Sequence, residues 1–110
     1  MRDPLSQLNF NAIPIEQKTL AAASITTSYA LVGSVFSSPP VMVIIVSTLD
    51  TAVQFSWDGV KDAFPILANS AIILDLKSDG APLPAVAYGP YVKEIGNPTT
   101  GTLYIGGFTV

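Results

Sequence analysis

Apolar and polar residues alternate along short stretches of this chain. The clearest is Val53-Gln54-Phe55-Ser56-Trp57, where Val53, Phe55 and Trp57 fall on one face and Gln54 and Ser56 on the other. That is the two-residue period of a half-buried strand. Ala71–Lys77 repeats it, with Ile72, Leu74 and Leu76 opposite Ile73 and Asp75. Val41–Ser47 carries the longest aliphatic run. Further strands are predicted near Thr19–Thr26, Tyr29–Phe36, Ala63–Ile66 (a stub), Ala85–Ile95 (broken by Gly89-Pro90) and Thr102–Val110. In the last of these, Gly106-Gly107 signals a bulge or a close backbone approach. No 3.6-residue period is sustained over a long window. Thr19–Ser24, through Ala21-Ala22-Ala23, is the one stretch with helical character, and it is too short to stand alone.

The connections carry turn chemistry. Asp58-Gly59 and Asp79-Gly80 are turn dipeptides, and Ser47–Thr51 is of hairpin length. Asn97-Pro98-Thr99-Thr100-Gly101 is a loop. Eight short strands at a spacing of roughly ten residues predict an all-β antiparallel sandwich. The count of eight favours a jelly roll over a seven-stranded immunoglobulin-type sandwich. Residues 1–15 read as an extended N-terminal arm, and residues 16–110 as a single β-sandwich domain. The arm holds Leu5, Leu8, Phe10, Ile13 and Ile15 among prolines and amides, cannot build a core alone, and is expected to lie on its own domain or on a neighbour.

Composition sharpens this picture. Of 110 residues 49% are hydrophobic and 12% charged, about half the charge of an ordinary soluble domain. Mean hydropathy is +0.49. An exterior so poor in charge leaves aliphatic area exposed, which marks an interface and predicts life in an assembly. The net charge is −3, with five basic residues scattered along the chain, which argues against nucleic acid as the partner. The Val41–Val46 run is far short of the roughly 20 residues a membrane helix needs, and the first residues lack a signal peptide's apolar segment. No membrane partner and no export are expected.

Histidine and cysteine are absent. That excludes a Cys/His zinc site, a disulfide scaffold, a thiol nucleophile and a histidine base. Asp58 and Asp62 lie four apart, flanking a loop next to Trp57 and Phe64. Their spacing matches no EF-hand loop, and they read as a turn aspartate and a solubilising one rather than an acid/base pair. No catalytic, cofactor or metal residue is predicted. Trp57, Phe55 and Phe64 read as core rather than as a sugar platform. Tyr88 and Tyr91, flanking Gly89-Pro90, are candidates for an interface rim.

The stretch Val53-Gln54-Phe55-Ser56-Trp57-Asp58-Gly59-Val60-Lys61-Asp62-Ala63-Phe64-Pro65-Ile66 resembles a pattern in small tailed-phage virion proteins. Tyr29-Ala30-Leu31-Val32-Gly33 before it, Ile44-Ile45-Val46 and the closing Gly101–Ile105 strand fit the same layout, so the likeness covers residues 29–110. Size and layout most resemble the jelly-roll staple, or cement, proteins of short-tailed phages of the epsilon-fifteen type. The resemblance implies a non-enzymatic protein on the outer capsid surface of the virion. It would bridge major capsid subunits and associate with itself as a dimer or trimer. Two other readings stand beside it: a tail, collar or fibre accessory module, and a small carbohydrate-binding sandwich using Trp57, Tyr88 and Tyr91.

Overall fold

The computed structural model describes residues 13–36, 40–76 and 89–109. Within them eight strands follow one another: β1 (Ile13–Ala21), β2 (Ala30–Leu31), β3 (Pro40–Ser47), β4 (Val53–Ser56), β5 (Phe64–Ile66), β6 (Ser70–Asp75), β7 (Tyr91–Glu94) and β8 (Thr102–Thr109). A single 3-10 turn, Ala22–Ser24, follows β1. It is all that comes of the alanine run, because one turn cannot propagate without packing to support it.

The strands form two four-stranded antiparallel sheets. Their orders are β1-β8-β3-β6 and β2-β7-β4-β5. The pairings β1·β8, β2·β7, β3·β6 and β4·β5 are nested about the β4–β5 turn. Two more, β3·β8 and β4·β7, join alternate rungs of that nest and so divide it into the two sheets. A long antiparallel hairpin folded at its midpoint and rolled onto itself gives this order, which is the jelly roll. The predicted fold class is therefore the observed one.

The alternation read from the sequence selects the core. Val53 and Phe55 on β4, Val43 and Ile45 on β3, Val92 on β7, and Leu103 and Ile105 on β8 are fully buried between the sheets. Fully burying each such side chain contributes about 1.5–3 kcal/mol. Phe55 stacks on Phe64 with ring centroids 4.7 Å apart and meets Trp57 edge-on at 4.8 Å. Trp57 and Phe64 are half-buried and pack against the core. The aromatic cluster is a core feature, as expected.

Two strands differ from expectation. The predicted Tyr29–Phe36 strand shrinks to Ala30–Leu31, because its pairing with β7 runs out at Pro90, which accepts from Val32 N–H but has no N–H to return, and Gly33 turns away at φ +75°. β1 starts at Ile13, ahead of the predicted Thr19, so Ile13 and Ile15 belong to the sheet and not to a separate arm. Pro14 hid this. It is tolerated because β1 is an edge strand, bonded on one side to β8 alone. Leu5, Leu8, Phe10 and Tyr88, and the Asp79-Gly80 turn, lie outside the described residues.

Candidate interaction surface

The sheets present different outer faces. On β2-β7-β4-β5 the outer face carries Gln54, Tyr91 and Lys93; Gln54 pairs with Lys93, and Tyr91 with Ser56, which the β4–β5 turn buries. Tyr91 is half-buried, and its ring lies against Gly59, where a Cβ would come within 3.1 Å of it. Tyr91 thus braces the β4–β5 turn. The Tyr29 hydroxyl donates to the Asp62 carboxylate. Lys93 Nζ stands 3.5 Å from Asp62 and 4.7 Å from the centre of the Tyr29 ring. The Tyr29 hydroxyl and then the Lys93 charge hold Asp62 below the usual carboxylate range. Tyr29 is pushed up to about 12 by burial first, then by its bond to Asp62 and the charges of Asp62 and Asp58.

Asp58 serves its own turn. Its Oδ1 accepts the Val60 and Lys61 N–H groups at 2.9 Å each and the Ser56 hydroxyl at 3.0 Å. The Lys61 and Val60 bonds hold its carboxyl below the usual range. Ser56 Oγ in turn accepts from the N–H groups of Asp58 and Gly59. This is the Asx-type turn that the dipeptide predicts. Asp62 is bound instead to Tyr29 and Lys93, so the two aspartates serve different partners.

The outer face of β8-β3-β6 is largely apolar, and β1 adds exposed Glu16, Gln17 and Thr19 beside it. Register fixes which side chains share it. Ile44 pairs with Ile73 on β6 and with Gly106 on β8. Val46 pairs with Ala71 and Tyr104, and Met42 with Asp75 and Phe108. Asp75 is the single charge these rows carry on β6, β3 and β8, and on β1 Glu16 lies in the bulge opposite Gly106. Ile73 is 68% exposed, Val46 39% and Phe108 37%. Strands lie about 4.8 Å apart, so the rows make one continuous patch. Contiguous apolar area of this kind marks a protein–protein contact. Sequence reading foresaw exposed aliphatic area but named none of these residues. Alternation shows that Ile73 and Val46 oppose the core positions of their strands, and only the topology brings β8 between β1 and β3.

The two candidate interface residues of β1 sit elsewhere. Ile13 is 56% exposed, and Ile15 is half-buried against the core. They line an open groove of about 200 Å³ together with Lys18, Val35, Phe36 and Thr109. Lys18 reaches across the mouth of the sandwich, donating to Ser34 Oγ at 2.8 Å, with its Nζ 5.9 Å from the centre of the Phe36 ring. Among the described residues no helix is long and apolar enough to cross a membrane. Comparisons with protein families, with curated proteins and with solved structures find no match to this chain.

Proposed function

We propose that this chain is a non-enzymatic virion structural protein that decorates the outer surface of an icosahedral phage capsid. It bridges neighbouring major capsid subunits and stabilises the mature shell. The observation that carries the reading is the apolar outer face of β8-β3-β6 on a jelly roll, in a chain with 12% charged residues. The residue pattern from Tyr29 to Ile105 that resembles staple proteins supports it. So does the use of Asp58 and Asp62 in a turn and a surface contact.

The mechanism is mass action. A protein that binds the expanded shell and not its precursor stabilises the expanded form in proportion to occupancy. Repetition over many lattice positions multiplies a modest energy per site. The carbohydrate reading loses support, because Trp57 packs edge-on to Phe55 and Tyr91 braces Gly59.

The test is stoichiometry. Quantitative mass spectrometry of purified particles of the encoding virus should return a simple, large ratio to the shell protein. A ratio of a few per hundred would move the protein to the tail or collar. Absence from particles would overturn the virion reading altogether.

A further inference from the structure

We infer that Asp58-Gly59 is a latent isoaspartate site in the β4–β5 turn, held closed by the Ser56 hydroxyl. Asp-Gly is the dipeptide most prone to this rearrangement, because glycine puts no side chain in the way of its own nitrogen. The Gly59 nitrogen bonds to the side-chain carbonyl carbon of Asp58, and the amide hydrogen and the carboxyl's hydroxyl leave as water. Water then reopens the five-membered ring at the former main-chain carbonyl, which is freed as a carboxylate. The main chain now runs through the Asp58 side chain and is one carbon longer. Its mass is unchanged, and no oxidant or reductant is consumed.

The turn needs both members of the reactive pair. Gly59 stands at φ +79°, in the left-handed region, and a Cβ there would press on the Tyr91 ring at 3.1 Å. Asp58 caps the turn through the Val60 and Lys61 N–H groups. The liability is therefore built in, and the atoms around it decide its fate. Ser56 is fully buried, and its Oγ accepts the Gly59 N–H at 3.0 Å and the Asp58 N–H at 3.3 Å. These bonds fix the peptide planes on both sides of Asp58 and keep the Gly59 nitrogen from swinging toward the carboxyl. The same hydroxyl donates to Asp58 Oδ1 at 3.0 Å. With the Val60 and Lys61 bonds, three donors hold that oxygen and favour the ionised carboxylate. The ionised form is the unreactive one, because the oxygen that leaves must carry a proton. The consequence of opening is not local. An extra backbone carbon here would displace Gly59 from the Tyr91 ring, and Asp62, three residues on, from Tyr29 and Lys93.

This inference stands apart from the virion reading, since it is tested on the isolated protein. The full chain is kept for weeks at neutral pH and body temperature, folded in buffer and unfolded in guanidinium, and is then cut after lysine. Cleavage at Lys61 and Lys77 puts Asp58-Gly59 and Asp79-Gly80 on separate peptides. Chromatography resolves the isoaspartyl peptide from its parent at equal mass. Asp58-Gly59 should convert at least about tenfold more slowly in the folded chain, since it reacts only while the turn is open. Ser56→Ala, shown by circular dichroism to be folded at that temperature, should lose most of this protection. A folded wild type that converts as fast as the unfolded chain overturns the inference. So does a folded Ser56→Ala that converts no faster than the wild type. Hydrogen exchange at the Gly59 amide reads the same bond without any substitution. It should be at least about tenfold slower than in the unfolded chain, and free exchange there overturns the inference as well.

Discussion

Gly106 and Gly107 are neighbours in β8 with opposite demands on the fold. Gly107 adopts φ +140°, and a Cβ there would lie 2.0 Å from the Met42 carbonyl oxygen, a backbone atom that cannot swing away. β1 gains one residue relative to β8 opposite Gly106, between Ile15 and Lys18, and β3 gains one opposite the Phe108–Thr109 step, between Pro40 and Met42, so Gly107 lies between the two irregularities. The close backbone approach signalled by the glycine pair is thus real at one residue of the two. Gly107→Ala should cost about 2 kcal/mol or more, from left-handed strain plus the clash. Gly106→Ala should be neutral or stabilise by up to about 1 kcal/mol, by removing glycine's extra freedom in the unfolded chain. Urea unfolding of both variants in dilute protein checks this. Equal effects would mean that the two backbones are not distinguished as described.

Loops in this fold are joined to loops, and one carboxylate does much of the joining. Asp50, between β3 and β4, accepts the Thr99 hydroxyl at 2.6 Å and the Thr99 and Thr100 N–H groups at 3.0 and 3.4 Å, between β7 and β8. Thr48 exchanges bonds with Thr102 in the same seam. The Thr99 hydroxyl, then its N–H, hold Asp50 below the usual carboxylate range. A folded pKa below the unfolded value of about 3.9 means stability that is complete above that value and is lost as pH falls through it to the folded pKa. Asp50→Asn should therefore melt below the wild type at neutral pH and approach it on acidification below about pH 4. Thermal melts at both pH values read the difference, and a gap independent of pH would contradict the assignment. None of this seam was legible in the sequence beyond a turn and a loop, because a side chain's long-range partner leaves no local pattern. The strands were legible where one face is buried, as in Val53-Gln54-Phe55-Ser56-Trp57. They were misjudged where the partner strand runs out at a proline, opposite Val32, and where a proline sat on an edge, at Pro14. The apolar patch needed topology: Tyr104 and Ile44 share a row only because β8 crosses back to lie against β3.

At the scale of the molecule, the nesting joins the two ends of the described chain. β1 holds β8, so the first strand to leave the N-terminal region is structural. Ile13, Pro14 and Ile15 pair with Thr109, Phe108 and Gly107, and Thr109 is 5% exposed beneath them. The proposed arm therefore has to be tested with a cut ahead of Ile13. Removing residues 1–12 should leave the melting midpoint where it is and weaken attachment to purified shells, since Leu5, Leu8 and Phe10 are lost while the sheet stays whole. Removing residues 1–15 should also lower the midpoint, by about 5 °C for a loss near 1 kcal/mol, because three rungs of β1·β8 and the Ile15 contact go with it. If the 1–12 truncation decorates shells as tightly as the full chain, the arm is no part of the attachment. The capsid contact would then lie on the sandwich itself, where the outer face bearing Ile73, Val46 and Phe108 is the apolar surface on offer.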